Sequence, residues 1–259
     1  MSSSYDSESV PILEFDPAPE ALLEPKKLIK PLDIPERAVV CFFQEVMEHL
    51  VQQETLRTVR HLRSEMGTHP VYEMAMDGKR LAVFHPGVGA PLAAAMLEEV
   101  IALGCNTFIA CGGAGVLDSS IAVGHILVPA SAVRDEGTSY HYLPPDREVA
   151  ASADGVAAIE RTLRAHEVDY LVTKTWTTDA IYRETPEKIR RRRAEGCLAV
   201  EMESAAFFAV AQFRGVRFAQ MLYGGDDVGA DEWNSRHWNS HTSVREKLFW
   251  LAAEACLAL

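Results

Sequence analysis

The chain has 259 residues, of which 48% are hydrophobic and 24% are charged, a composition typical of a globular protein with a sizeable core. Its formal net charge of −12 argues against a nucleic-acid partner, because binding to a phosphate backbone needs a basic surface. No apolar run approaches the ~20 residues of a membrane span, and the polar, acidic N-terminus is unlike a secretory signal. Five scattered cysteines without CxxC spacing favour a reducing compartment, so we expect a cytoplasmic protein.

The predicted elements begin after a proline-rich segment. Six of the 13 prolines lie in the first 35 residues, and we predict that residues 1–37 form an extended arm. Over residues 38–259 strands alternate with helices, which predicts a single α/β domain with a central sheet flanked by helices. The predicted strands cover residues 80–86, 106–113, 124–131, 170–176, 198–201 and 216–225, and the predicted helices cover residues 91–104, 155–165, 186–195, 202–213 and 239–259.

Four predicted strand ends carry residues suited to ligand binding. Their sequences are HPGVGAP, ACGGAGV, VEMES and YGGDD, and ligands of α/β sheets bind beside the C-terminal ends of strands. In the first two, Gly87, Gly112 and Gly113 allow the backbone to approach a sugar or an anion closely. A tight turn or a bulge explains the same glycines equally well.

Glu201 and Glu203 flank Met202 at the joint between a short apolar strand and an apolar helix. Carboxylates are costly to bury without partners. Because the two lie two positions apart at a strand end, their side chains are predicted to point to the same side, towards a cleft. There they can accept hydrogen bonds from paired hydroxyl groups, such as those of a ribose.

Asp226 and Asp227 follow the last predicted strand. Such a pair can simply form a turn or a helix N-cap. Adjacent carboxylates also raise one another's pKa, so that one of them can stay protonated and act as a general acid.

The sequence gives little support for the binding of a cofactor or a metal. Leu92 replaces the third glycine of a GxGxxG motif in GVGAPL, which makes a nicotinamide cofactor a weak interpretation. The nine histidines show no metal-binding spacing. We therefore expect neither a metal nor an organic cofactor.

Together these motifs resemble the nucleoside phosphorylase superfamily, in the branch that contains uridine phosphorylases, hexameric purine nucleoside phosphorylases and methylthioadenosine nucleosidases. The resemblance runs from about residue 38 to the C-terminus, with DGKRLAVFHPGVGAP, TTDAIYRET, VEMES and YGGDD in family order. It implies a mixed, partly barrel-like sheet and a catalytic domain over residues 38–259. It also implies a small-molecule nucleoside as ligand and a homo-oligomer (dimer, trimer or hexamer).

The resemblance implies roles for the acidic residues. Glu203 would bind the ribose hydroxyls, with Met202 under the sugar and Glu201 beside them. Asp226 would protonate N7 of a departing purine, and Asp227 would support the protonated state of Asp226. General acid catalysis of this kind contributes about 10² to 10⁴ in rate.

The resemblance also bears on the base. Ile181 falls where relatives place a phenylalanine against the base, and Tyr182 follows it as it does in them. The glutamine and arginine that contact uracil in uridine phosphorylases would fall on Thr185 and Glu187. These replacements favour a purine-type base.

The arginines that bind phosphate in the phosphorylases are missing from the corresponding positions. The early loop has Glu45 or Val46 in place of an arginine, and Ala110 replaces the arginine before the glycine-rich strand end. Residues 67–69 lack the arginine that a neighbouring subunit provides in relatives. Nucleosidases have a glutamate in the early loop that holds the attacking water, and Glu45 lies one position from it.

The sequence therefore predicts an enzyme that cleaves the N-glycosidic bond of a purine-type nucleoside with water as acceptor. The first alternative is a phosphorylase with phosphate as co-substrate, in which Arg134, Arg183 or Arg236 replaces the missing cations. The second alternative is a protein that binds a nucleoside without cleaving it.

Overall fold

The computed structural model describes residues 10–259, so the first nine residues of the predicted arm lie outside the described residues. This range contains ten strands and seven α-helices. The strands are β1 (Arg37–Cys41), β2 (Arg57–Ser64), β3 (Gly67–Met76), β4 (Lys79–Phe84), β5 (Thr107–Val116), β6 (Ile126–Asp135), β7 (Glu148–Ala150), β8 (Tyr170–Thr178), β9 (Cys197–Glu201) and β10 (Arg217–Asp227). The helices are α1 (Pro25–Leu28), α2 (Gln44–Gln52), α3 (Ala90–Leu103), α4 (Ala153–Ala165), α5 (Pro186–Ala194), α6 (Ser204–Arg214) and α7 (Thr242–Leu257).

One mixed sheet contains these ten strands, and five of them close into a barrel in the order β5, β10, β6, β8, β9 and back to β5. The ring closes because β5 is long. Its first half pairs with β1, whereas Gly115 and Val116 pair with β9. Strands β4, β3 and β2 continue the sheet beyond β1. The predicted α/β fold with a mixed, partly barrel-like sheet is confirmed.

Helices cover both faces of the open part of the sheet, as the apolar run in β1 requires. Val39 and Cys41 belong to a buried cluster that includes residues of α2, α4 and α7. Ala38 and Val40 belong to a second buried cluster, which includes residues of α3 and α6. Within residues 10–259 no helix is long and apolar enough to cross a membrane.

The hairpin of β2 and β3 and the short strand β7 were not predicted from the sequence. In β2, only Leu62 is buried, so the alternation that marks a half-buried strand is missing. The antiparallel pairing ends at Ser64 and Gly67, where Gly67 has a φ of 112°. A polar strand exposed on most of its length leaves no hydrophobic period in the sequence.

The part of the arm that the structure describes is held against the body by charged side chains. Glu24 is buried and lies 3.1 Å from Arg214, whose Nε donates a hydrogen bond of 2.8 Å to Glu98. Between residues 10 and 36 the chain forms only the short helix α1 and one 3-10 turn, Pro11–Leu13. The boundary between arm and domain stays a prediction.

Candidate active site

A cavity of about 280 Å³ lies at the C-terminal ends of β5, β9 and β10. Its wall includes residues of ACGGAGV, VEMES and YGGDD, together with Val88 from HPGVGAP. The fold therefore brings together motifs that are far apart in the sequence. A larger cavity of about 770 Å³ lies between the arm and the body, and its wall contains none of these motif residues.

Glu203 lies on the cavity wall at the N-cap of α6 and is almost completely buried. Its Oε1 accepts a hydrogen bond of 2.6 Å from the backbone N–H of Gly89, and its Oε2 accepts a weaker one of 3.3 Å from Met202. A carboxylate has about four acceptor positions, so capacity remains for ribose hydroxyls. Met202 also lines the cavity.

Glu201 lines the same cavity, but its carboxylate is used by the protein. Its Oε2 accepts hydrogen bonds from the backbone N–H groups of Glu203 at 2.7 Å and Ser204 at 2.6 Å, and its Oε1 accepts one of 2.7 Å from the hydroxyl of Thr177. These N–H groups belong to the start of α6, where an acceptor and a negative charge are stabilising. Glu201 therefore fixes the start of α6 and thereby the position of Glu203.

The two buried glutamates, Glu201 and Glu203, differ in the interactions that set the pKa of each carboxyl group. Burial raises the pKa of Glu201, but hydrogen bonds from Thr177, Ser204 and Glu203 oppose this shift. Burial also raises the pKa of Glu203, and the nearby charge of Glu201 raises it further. The hydrogen bonds to Glu201 thus favour its charged form, whereas the charge of Glu201 disfavours the charged form of Glu203.

Asp226 lies on the cavity wall at the end of β10. Its Oδ2 accepts a hydrogen bond of 2.8 Å from the indole N–H of Trp233, a largely exposed side chain in the following loop. Trp238, from the same loop, lines the cavity as well. The loop after β10 thus forms one side of the site.

Asp227 does not line the cavity, and its predicted support of the protonated state of Asp226 stays a prediction. Its Oδ2 accepts a hydrogen bond of 2.6 Å from Arg236, and its Oδ1 accepts hydrogen bonds from Ser119 and the backbone N–H of Gly229. Burial alone would raise the pKa of Asp227, but the hydrogen bonds from Ser119 and Gly229 and the charge of Arg236 lower it. An ionised Asp227 fixes the loop and does not donate a proton.

Glu45 also differs from its prediction. It is not among the residues that line the cavity, but it contacts Arg245, which is. Nε of Arg245 lies 2.9 Å from Oε1 of Glu45, although neither atom makes a well-oriented hydrogen bond within the described residues. The guanidinium of Arg245 also lies 4.8 Å from the centre of the Phe43 ring. Glu45 reaches the site only through Arg245.

The remaining predicted residues divide between the cavity and its surroundings. Gly112, Gly113 and Ile181 line the cavity. Tyr182 is 95% exposed and Gly87 lies outside the wall. Gly87 is instead required by its turn, because its φ is 82° and a Cβ there would lie 2.3 Å from a methyl carbon of Leu92.

Two charged residues of the wall, Glu184 and Arg245, were not predicted from the sequence. Burial raises the pKa of Glu184 to about 7, with a further contribution from the charge of Asp226, and Lys188 opposes both. Glu184 precedes an N-cap threonine, and Arg245 lies in the polar first half of α7. Neither position has a sequence signal that separates it from ordinary surface residues.

The arginines considered as replacement phosphate ligands lie elsewhere. Arg134 is buried, and its guanidinium donates hydrogen bonds to Ser139 and to the carbonyl oxygens of residues 143 and 144. Arg236 pairs with Asp227, and Arg183 is exposed. Among the described residues that line the cavity, Arg245 is the one with a cationic side chain.

Comparison with known proteins gives the family. The model of the phosphorylase superfamily matches residues 36–254. The guanosine phosphorylase of Halorubrum lacusprofundi is 29% identical over 169 residues, which cover 63% of this chain and 70% of that protein. The uridine phosphorylase of Haemophilus influenzae is 24% identical over 188 residues, which cover 67% of this chain and 72% of that protein.

Solved structures share the fold. The uridine phosphorylase of Vibrio fischeri ES114 superposes with a TM-score of 0.72 at 23% identity, covering 88% of this chain and 94% of that one. The AMP nucleosidase of Bacteroides thetaiotaomicron gives 0.70 at 20% identity, covering 87% and 89%. The chain therefore belongs to the phosphorylase superfamily and is an enzyme of the nucleoside phosphorylase and nucleosidase kind.

Proposed function

We propose that the chain cleaves the N-glycosidic bond of purine nucleosides and transfers the ribosyl group to water. The observation that carries this proposal is the position of Glu203 and Asp226 in the wall of one cavity of about 280 Å³. Glu203 lies at the start of α6 and Asp226 at the end of β10, so the two carboxyl groups approach a ligand from different elements.

The two carboxyl groups have different tasks in this mechanism. The protonated form of Asp226 donates its proton to N7 as the C1′–N9 bond breaks and its electron pair moves onto the base. The ionised form of Glu203 accepts hydrogen bonds from the ribose hydroxyls and stabilises the positive charge that develops on the sugar. Water then forms a bond to C1′ and loses a proton to solvent, which in turn reprotonates Asp226. The products are free purine and ribose.

The charges around the cavity favour water over phosphate. The described wall carries four carboxyl groups and one guanidinium, those of Glu184, Glu201, Glu203, Asp226 and Arg245. Arg245 is already paired with Glu45. A phosphate dianion would lose its hydration beside several carboxylates, which is costly unless cations replace the water.

Phosphorolysis is the second candidate, and Arg245 is the observation that favours it. The ion pair between Arg245 and Glu45 lacks a well-oriented hydrogen bond, so an anion entering the cavity could compete with Glu45 for the guanidinium. The two named sequence relatives are phosphorylases. In this alternative the attacking group is phosphate and the sugar product is ribose 1-phosphate.

We also propose that the chain forms a homo-oligomer. Leu22, Leu23 and Leu28 of the arm are exposed side chains, with fractional exposures of at least 66%. Leu23 and Leu28 also line one cavity, and exposed apolar patches mark interaction sites. Size-exclusion chromatography with light scattering measures the number of subunits, and a monomer at micromolar concentration would contradict this proposal.

Release of free base from a panel of nucleosides tests the catalytic proposal. The panel contains adenosine, inosine, guanosine, methylthioadenosine and uridine, and chromatography detects the base. We expect release from purine nucleosides and little from uridine. Binding of nucleosides without release of base from any of them would overturn the proposal.

A further inference from the structure

The carboxyl group of Glu184 has no hydrogen-bond partner in the part of the chain that the structure describes, although it lines the cavity and is half-buried. Its backbone is well fixed. Glu184 follows a 3-10 turn over Ile181–Arg183 and precedes Thr185, whose hydroxyl caps α5 by accepting from the N–H of Lys188. A carboxyl group that has no protein partner and is carried on a well-defined turn at a cavity wall is available to a ligand.

Glu184 shares the cavity with Asp226, the acid of the proposed mechanism. The charge of Asp226 contributes to the raised pKa of Glu184, so the two groups interact. Two interacting carboxyl groups do not ionise together readily, and a pair of this kind is less repulsive when it holds one proton. It then offers a ligand one hydrogen-bond donor and one acceptor.

Purine bases differ in the pattern that they present at N7 and position 6. Adenine has an acceptor at N7 and an amino donor at position 6, whereas guanine has acceptors at both N7 and O6. Hypoxanthine has the same 6-oxo group as guanine. If Asp226 donates to N7, a neighbouring carboxylate can accept from a 6-amino group but repels a 6-oxo group.

We propose that Glu184 is a base-recognition residue that selects 6-aminopurine nucleosides over 6-oxopurine nucleosides. This inference rests on the proposed function, because it is Asp226 that places N7 and therefore position 6. In this proposal Glu184 selects the base, whereas Glu203 binds the ribose.

Adenosine and inosine test the proposal because their bases differ only in the group at position 6. We expect kcat/KM of the wild type to favour adenosine by about tenfold or more, as a hydrogen bond to a charged group allows. Glu184→Gln should bring the ratio close to one, because a rotated amide can either donate to O6 or accept from the amino group. Glu65→Gln is the matched control, since Glu65 is exposed and does not line the cavity, and it should leave the ratio unchanged.

Binding of free adenine and free hypoxanthine, measured by calorimetry, gives a readout that does not depend on turnover. We expect tighter binding of adenine by the wild type and loss of this preference in Glu184→Gln. A wild-type preference for the 6-oxo compounds would overturn the proposal. So would equal losses for both bases in the variant, because a purely structural role produces that result.

The two proposals fail in different ways. If the wild type cleaves no purine nucleoside, the proposed function is wrong, and the preference between the free bases still decides the role of Glu184. If the wild type cleaves purine nucleosides and Glu184→Gln leaves the adenosine-to-inosine ratio unchanged, only the role of Glu184 is wrong.

Discussion

The backbone N–H of Gly89 donates a hydrogen bond of 2.6 Å to Oε1 of Glu203, although the two residues are 114 positions apart in the sequence. Gly89 is the N-cap of α3 and Glu203 is the N-cap of α6. The partial positive charge at a helix N-terminus stabilises a carboxylate. The glycine turn after β4 and the start of α6 therefore orient Glu203 together, which gives HPGVGAP a function without requiring it to contact the ligand through Gly87.

Asp226→Asn should lower kcat at least a hundredfold and leave nucleoside binding nearly unchanged. Asparagine keeps an oxygen that can accept from Trp233 but cannot supply a proton to N7. Steady-state kinetics and equilibrium binding measure the two effects. Asp231→Asn, an exposed position in the same loop, is the control. A kcat close to that of the wild type would remove Asp226 from the mechanism.

Glu203→Gln should weaken substrate binding. It should also gain stability relative to the wild type as pH rises. The pKa of Glu203 is raised above its ordinary value of 4.5 in the native state, mainly by burial, so the native state binds this proton more tightly than the unfolded state. The free energy of unfolding of the wild type therefore falls as pH rises from about 4.5 through neutral pH, and the glutamine variant lacks this loss.

Thermal melts between pH 4.5 and pH 8 check this expectation for Glu203. Glu65→Gln, at an exposed position, provides a control for the removal of one negative charge. A stability difference between Glu203→Gln and the wild type that does not change with pH would contradict it, as would an unchanged KM for nucleosides.

Asp227→Asn should destabilise the protein by about 3 kcal/mol, since it leaves the largely buried guanidinium of Arg236 without its charged partner. The effect on kcat should be smaller than that of Asp226→Asn, because Asp227 does not reach the cavity. Urea denaturation and kinetics on the same preparations measure both quantities. Wild-type stability combined with a hundredfold loss of kcat would return Asp227 to a catalytic role.

The ratio of kcat/KM for adenosine to that for inosine should rise as pH rises through about 7. The pKa of Glu184 is raised to about 7 by burial and by Asp226 on β10, against the charge of Lys188 on α5. Below this pH the carboxyl group can donate to a 6-oxo group, and above it the carboxylate accepts from a 6-amino group. Protonation steps common to both substrates cancel in the ratio. A ratio that stays constant between pH 6 and pH 8 would contradict this expectation.

The sequence could predict which motifs lie around one cavity because the fold itself places residues at strand ends. Strands β5 and β10 run parallel, so ACGGAGV and YGGDD meet at their ends, and closure of the barrel by pairing of β9 with the end of β5 brings VEMES beside them. A carboxylate can end the buried strand β9 because the protein supplies hydrogen-bond partners for it. Glu201 accepts from the N–H groups at the start of α6 and from Thr177 on β8.

The misplaced residues depend on contacts that sequence spacing does not contain. Asp227 adjoins Asp226, but successive side chains on a strand point to opposite sides, and Arg236 pairs with the one outside the cavity. Glu45 and Arg245 meet only because α7 packs against the start of α2. Glu184 enters the wall through a turn and not through a periodic element, so no hydrophobic pattern marks it.

Product analysis in the presence and absence of phosphate tests the central claim most directly. Purified protein is incubated with a purine nucleoside in phosphate-free buffer and in buffer with millimolar phosphate, and the sugar product is identified. The account predicts free purine and ribose in both buffers at similar rates. Ribose 1-phosphate formed only when phosphate is present would contradict it and would indicate that Arg245 binds the attacking anion.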